Sequence, residues 1–358
     1  MENVLIVLPN SKLGGAEQIL KMIAEYHKND TVYVFFLSKR ISSSWDNTNV
    51  NLCYSSFSNK LGAIFSLLFF LLRNNKCWDR IYTSHVNVTG VLGLFIRLRF
   101  FKKKKFIARE STTVFSRFNG GKLLLYKLIY FIGYSKVDLL ICQTNDMKNQ
   151  FVEALPKLSK KFKIVVFANP VALVKVFENE EYVFRSKDYI VSAGRLIPEK
   201  GYDILIESFS KLKGSGKYFD LQLIILGEGG ERGDLLNKVK SLGLEDSVVF
   251  KGFVDNVYPY FKKAKLCVIS SRIEGFPNVL LQMMSQNNKV VSTACAGGIQ
   301  DIEGLFVCET NNKDLLADTM EKALDSNTDY CRVLFDKFLE VRSIDGFVGK
   351  IDSVIYEK

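Results

Sequence analysis

Histidine is nearly missing from this chain of 358 residues, which holds two, and proline is scarce, with six. His27 and His85, without any Asp-x-Asp pair, leave little from which to build a catalytic metal centre. The seven cysteines stand singly at 53, 77, 142, 267, 295, 308 and 331; lacking any Cys-x-x-Cys spacing, they argue against both a disulfide framework and a zinc pattern. No apolar run reaches the ~20 residues of a membrane-spanning helix. The most apolar one, residues 61–72, reads as a core or interfacial helix. The opening Met-Glu-Asn and the short run Val4 to Leu8 lack a basic leader and a cleavage site, so a cytoplasmic location is expected. Nor is there low complexity or a repeat of solenoid period.

What is present suffices for two packed cores, since 47% of the residues are hydrophobic and 24% charged. The charge is uneven. Residues 1–175 hold 26 Lys and Arg against 10 Asp and Glu, a net +16, whereas residues 176–358 hold 23 against 28, a net −5. The two halves should therefore meet different partners.

Val4 to Leu8 is a continuous aliphatic run ending at Pro9, as in a parallel strand buried on both faces, and it leads to Gly14-Gly15-Ala16-Glu17 and an amphipathic helix. Strands are expected near 31–37, 80–83, 105–108 and 138–143, with helices between them. After Asn169-Pro170 a polar stretch containing Glu178, Glu180 and Glu181 interrupts this rhythm, which resumes at Asp188 and runs to about residue 308. The fold class expected is α/β, two Rossmann-like domains facing a cleft. Residues 1–175 would form the first domain, 176–340 the second, and 341–358 a C-terminal helix packing back on the first.

Several loops at expected strand ends could carry chemistry. Gly14 and Gly15 permit either close approach to a ligand or a plain strand-to-helix turn. Arg195 and Lys200 lie five residues apart on the loop Gly194 to Gly201, where a guanidinium fork and an ammonium point charge suit a diphosphate, unless the loop is merely solvated. Glu274-Gly275-Phe276-Pro277-Asn278-Val279 places a carboxylate just before a helix start, with Gln282 two turns on; sugar hydroxyls or ordinary helix-start chemistry would explain it equally.

The ordered set Gly-Arg-Leu-x-x-Glu-Lys-Gly, Gly-Glu-Gly, Gly-Phe-x-Asp-Asn-Val and Glu-Gly-Phe-Pro-Asn-Val-Leu-Leu resembles the retaining GT-B glycosyltransferases that build bacterial surface polysaccharides such as O-antigen and capsule, and the likeness covers nearly the whole chain. By that resemblance Arg195, Lys200 and Glu274 would be catalytic, the two cations holding the donor diphosphate. Gly14, Gly15, Gly227, Glu228, Phe253, Phe276, Pro277, Asn278, Val279 and Gln282 would bind the donor. Gln282 departs from the second glutamate of the family's Glu-x7-Glu motif. In the first domain Arg109, Glu110 and Ser111 align with a family segment beside the reacting carbon, where Ser111 replaces a frequent histidine. His85 is a further cleft candidate, although a satisfied core histidine would look the same. The resemblance implies that residues 1–175 are the acceptor or membrane-side domain and 176–340 the nucleotide-sugar domain, with a front-face transfer in which the leaving phosphate takes the proton; no cofactor is expected and, with histidine so scarce, no metal.

Arg97, Arg99, Lys102, Lys103, Lys104 and Lys105 alternate with Phe95, Leu98, Phe100, Phe101 and Phe106. They suit the anionic inner membrane surface or form a solvated face. By the resemblance the expected partners are a UDP-linked nucleotide-sugar donor and a polyprenyl-diphosphate-linked saccharide acceptor; nucleic acid is not expected, as no binding module for it is visible. A nucleotide-sugar epimerase and a non-catalytic binding subunit are the competing readings.

Overall fold

The computed structural model describes residues 1–74, 76–172 and 188–357. The junction expected at 175/176 and the acidic run at 178–181 lie outside the described residues. The chain divides into two compact units, Met1–Pro170 with Arg342–Lys358, and Val171–Val341.

In the first unit, β1 (Asn3–Leu8), β2 (Thr31–Phe36), β3 (Asn51–Tyr54), β4 (Cys77–Thr83), β5 (Lys102–Arg109), β6 (Leu139–Cys142) and β7 (Lys163–Val166) form one sheet in the order β3-β2-β1-β4-β5-β6-β7. All its pairings are parallel, with Val4 opposite both Val32 and Arg80. The helices of this unit are α1 (Gly15–Tyr26), α2 (Lys60–Asn74), α3 (Val86–Arg97), α4 (Val114–Arg117), α5 (Gly120–Gly133), α6 (Asn145–Ala154) and α7 (Pro156–Ser159).

Strand alternation sends side chains to two separate cores. Leu5, Val7, Ile81, Phe106 and Leu140 meet α2, α3, α5 and α6 on one face. Val4, Ile6, Leu8, Tyr82 and Ile107 meet α1 and the C-terminal helix Ile344–Tyr356 on the other. Arg80, 6% exposed, fastens that last helix to the sheet by an ion pair to Asp352, while also donating to Glu2 at 2.5 Å.

The second unit repeats the design with β8 (Tyr189–Ala193), β9 (Gln222–Leu226), β10 (Val248–Gly252), β11 (Leu266–Ile269), β12 (Val290–Thr293) and β13 (Phe306–Cys308), ordered β10-β9-β8-β11-β12-β13 and again parallel. Its helices are α8 (Tyr202–Gly214), α9 (Arg232–Ser241), α10 (Tyr258–Lys263), α11 (Asn278–Met284), α12 (Lys313–Asp325) and α13 (Asp329–Glu340); the returning C-terminal helix is α14. α8, α9 and α12 cover one face, and α10, α11 and α13 the other.

Each sheet therefore has a point where neighbouring strands lead their helices to opposite faces. In the first unit it lies between β1 and β4, followed by α1 and α3 on different faces; in the second between β8 and β11, followed by α8 and α11. The loops diverge there, and ligands of open α/β sheets bind in the crevice they leave.

Candidate active site

At the switch point of the second sheet, β8 runs into Gly194, the exposed Arg195 and the buried Leu196, then a tight turn Pro198–Lys200. Gly201 ends that turn with φ of 63°, a left-handed conformation, and a Cβ there would collide with the Ser270 carbonyl. Glycine at 201 thus lets the turn press against the end of β11, where Ser270 Oγ donates to the Lys200 carbonyl at 2.9 Å.

This proximity brings together two of the expected residues. Lys200 Nζ forms an ion pair with Glu274 Oε1, to which Ser271 Oγ also donates at 2.9 Å. Both charged side chains are 17% exposed. A pair so far withdrawn from water is costly unless well bonded, and its members lie across the crevice from one another.

Arg272 is a residue that sequence reasoning missed. Its guanidinium forks onto Asp203, at 2.9 and 2.6 Å, while also donating to the Pro198 carbonyl at 2.6 Å and to Asn311 Oδ1 at 2.8 Å. It braces the Lys200 turn against α8 and holds the Asp203 carboxyl below its usual range by that bond, against the opposing effect of burial. Nothing in the spacing of 203 and 272 signals the pairing.

The remaining donor-side expectations separate. Gly227 N–H donates to Gly252 at 2.7 Å, and the Glu228 carbonyl accepts from Leu196 at 3.0 Å, so this loop supports the Arg195 loop through its backbone. Phe253 is exposed, whereas Phe276 and Val279 pack against the core beneath α11 and serve it. Pro277 precedes Asn278, the first residue of α11. Gln282 directs its amide Nε2 to the Tyr258 hydroxyl at 3.4 Å.

In the first unit, Gly14 caps α1 and Gly15 opens it. His85 caps α3, and its Nε2 lies 3.1 Å from Glu17 Oε1. His27 is the saturated one of the two histidines: Nδ1 is 2.9 Å from Asp30 and Nε2 3.4 Å from the Tyr82 hydroxyl. Glu2, His27 and Asp30 are also the one cluster with metal-ligand types among the described residues, and each takes part in the first unit's own bonds.

Arg109 and Glu110, expected as cleft groups, turn into the protein instead. Arg109 donates to Ser84 Oγ at 3.0 Å and to Asn169 Oδ1 at 2.5 Å, and burial pulls it down to about 10, still a cation near neutrality. Glu110 accepts from the Tyr130 and Tyr134 hydroxyls at 3.0 and 3.1 Å. It is a bolt between the end of β5 and α5, because consecutive residues leaving a strand point to opposite sides. Ser111 remains nearer the surface, donating to the Ser84 carbonyl at 2.6 Å.

Burial pushes Glu110 up to about 7 against the lowering by both tyrosines and Arg109. Between its ordinary value of 4.5 and about 7 the folded state holds a proton that the unfolded chain has released, so this stability is present below pH 4.5 and lost as pH rises through 7. The full swing is on the order of 3 kcal/mol. Glu110→Gln, which cannot ionise, should gain on the parent protein as urea midpoints are compared from pH 5 to pH 8; a constant difference across that range would refute the assignment.

The basic run also divides. Lys102 to Lys105 open β5, and alternation points them to two faces of the sheet. Lys103 pairs with Asp138, Lys104 with Asp79 at 2.7 Å, and Lys105 lies over the Tyr356 ring at 5.9 Å. They do not form one patch as expected, whereas Arg97 and Arg99 are exposed beside exposed Leu98 and Phe100.

Residues 187–326 match the family described as Glycosyl transferases group 1. Over 313 residues the chain is 27% identical to the N-acetylgalactosamine-N,N'-diacetylbacillosaminyl-diphospho-undecaprenol 4-alpha-N-acetylgalactosaminyltransferase of Campylobacter jejuni, covering 85% of this chain and 84% of that one. The lipopolysaccharide core biosynthesis glycosyltransferase LpsE of Rhizobium meliloti is 26% identical over 201 residues, 54% of this chain and 56% of its own length. Among solved structures, HepE of Anabaena in complex with UDP and glucose aligns with a TM-score of 0.83 at 17% identity, both chains being covered in full. WaaG, a glycosyltransferase involved in lipopolysaccharide biosynthesis, aligns at 0.76 with 14% identity over 99% of this chain and 100% of that one. Two parallel-sheet Rossmann-like domains are thus the fold shared with GT-B glycosyltransferases.

Proposed function

We propose that this protein is a retaining glycosyltransferase that moves a sugar from a UDP-sugar, held by the second unit, to a saccharide carried on polyprenyl diphosphate at an anionic membrane surface. The observation that carries this reading is the Lys200–Glu274 pair at the switch point of the second sheet, with Arg195 exposed on the same loop.

As the glycosidic bond breaks, negative charge grows on the departing diphosphate. Fixed cations at 195 and 200 would stabilise that charge more than the ground state, which is what accelerates the step. Glu274, paired with Lys200 across the crevice, would accept from hydroxyls of the transferred sugar. Gln282 would meet the nucleoside ribose through a neutral amide, a weaker acceptor than a carboxylate. UDP as carrier is supported by the HepE complex, and a lipid-linked acceptor by the Campylobacter relative.

Membrane docking rests on the first unit. Residues 47–137 hold 15 Lys and Arg against two acids, Asp79 and Glu110. Neither is a free carboxylate, one being paired to Lys104 and the other buried. On the same sheet face, α2 exposes Leu61, Phe65, Phe69 and Leu72, and α5 exposes Leu124, Leu125, Leu128 and Phe131. No helix among the described residues is long and apolar enough to cross a membrane. A greasy face without free acids, flanked by cations, favours anionic headgroups by about 1 kcal/mol for each cation near the surface.

The test supplies radiolabelled UDP-sugars with polyprenyl-diphosphate-linked saccharides in phosphatidylglycerol or phosphatidylcholine vesicles. Label should enter the lipid fraction, faster on the anionic vesicles. Recovery of label solely as an isomerised free nucleotide sugar, or no incorporation from any donor, would defeat the reading; equal rates on both vesicles would remove its membrane clause.

A further inference from the structure

The second unit places an acid–base pair across its switch point, and the first unit contains a counterpart. Glu17 projects from the first turn of α1, after β1, and His85 caps α3, after β4. β1 and β4 are neighbours whose helices go to opposite faces. The 3.1 Å contact between His85 Nε2 and Glu17 Oε1 therefore bridges the crevice of the first sheet, as Lys200 to Glu274 does in the second.

Three observations separate this pair from an incidental surface contact. Glu17 has a side chain 11% exposed, an expensive position for a carboxylate. Room for it is made by Gly14, where a Cβ would stand 2.7 Å from Glu17 Oε2. The His85 ring is also not saturated. With the Nε2 proton directed at Glu17, His85 Nδ1 is a buried acceptor that has no hydrogen-bond partner among the described residues, unlike both ring nitrogens of His27. Arg109 stands close enough for Glu17 to act on its charge, and its Nε likewise has no partner there.

A carboxylate oriented by an imidazole, backed by a buried guanidinium and placed outside the carboxyl ends of parallel strands, suits a neutral, hydroxyl-rich ligand. The carboxylate accepts from one hydroxyl, while the imidazole, its Nε2 proton committed to Glu17, has Nδ1 left to accept from a neighbouring one. We propose that Glu17 and His85 bind a hydroxyl pair of the acceptor saccharide, Glu17 touching it directly. This rests on the glycosyltransferase reading above.

The scarcity of histidine makes the test direct. Protein carrying 15N-histidine shows two imidazole spin systems, assigned with His27→Gln. Addition of the prenyl-diphosphate saccharide that accepts label in the transfer assay should move the His85 signals, whereas UDP alone should not. In kinetics, Glu17→Gln should raise the acceptor KM about tenfold, as expected for a lost hydrogen bond to a charged group, and leave the calorimetric Kd for UDP within twofold. Glu17→Asp should recover part of the loss if position matters, and it serves as the working variant should Glu17→Gln fail to fold. Unmoved His85 signals, or an unchanged acceptor KM in a folded variant, would overturn the proposal. Failure of the parent protein to bind UDP or transfer sugar would instead strike the glycosyltransferase reading.

Discussion

Lys200→Ala is expected to lower kcat for sugar transfer by about a hundred- to a thousandfold, the cost of removing one fixed donor to developing charge. The ammonium lies on a turn fixed from three sides: Gly201 lets it approach β11, Ser270 holds the Lys200 carbonyl, and Arg272 ties Pro198 to Asp203. Under the proposed mechanism little reorganisation is then needed when charge appears on the leaving phosphate. The substitution has a second consequence, because Glu274 would keep Ser271 as a donor but lose its cation while remaining largely buried. A drop in stability could thus imitate a catalytic loss. Combining Lys200→Ala with Glu274→Gln removes the stranded charge, and a double-mutant cycle separates the two effects. If the double variant regains stability yet turns over more slowly in rapid quench than Glu274→Gln alone, Lys200 acts on the transition state. Near-parental kcat in either variant would exclude Lys200 from donor chemistry.

Gly93→Ala should destabilise the first unit by about 3 kcal/mol, the upper range for forcing a methyl group into packed structure. α3 and α5 meet backbone to backbone at Gly90, Gly93 and Gly133: a Cβ at 93 would land on the Gly133 carbonyl, and one at 133 on the Gly90 backbone. Main-chain atoms cannot swing aside as a flexible side chain can, so the helices must part. Tyr130 in α5 and Tyr134 just after it, both donors to Glu110, would move with that helix. Gly349→Ala is the control. It lies inside α14 with nothing near the added methyl group, and helix propensity predicts a gain of up to about 1 kcal/mol. Urea unfolding followed by tryptophan fluorescence reads the first unit, since Trp45 and Trp78 both lie there. Equal midpoints for Gly93→Ala and the parent would show that the close approach carries no energetic weight.

The legible part of this molecule was local. Unbroken aliphatic runs such as Val4 to Leu8 predicted strands buried on both faces, and glycine-bounded loops after them predicted where ligands could approach, because both depend on a few adjacent residues. The loop Gly194 to Gly201 and Glu274 were visible for that reason. Their partnership was not, since it spans 74 positions and arises from the neighbouring of β8 and β11.

Side-chain direction was the other gap. Arg109, Glu110 and Ser111 read as one site, yet consecutive residues at the end of β5 face different surroundings, so Glu110 joins two tyrosines inside while Ser111 stays outside. Lys102 to Lys105 read as one basic patch until their place in a strand sent them to two faces. Composition and short-range pattern by themselves determined the α/β class, the uneven charge of the two halves and the loops capable of holding a ligand. Only the tertiary structure decided which of those residues meet, because strand order and helix face bring together Arg272 and Asp203, or Glu17 and His85, from positions with no mutual signal along the chain.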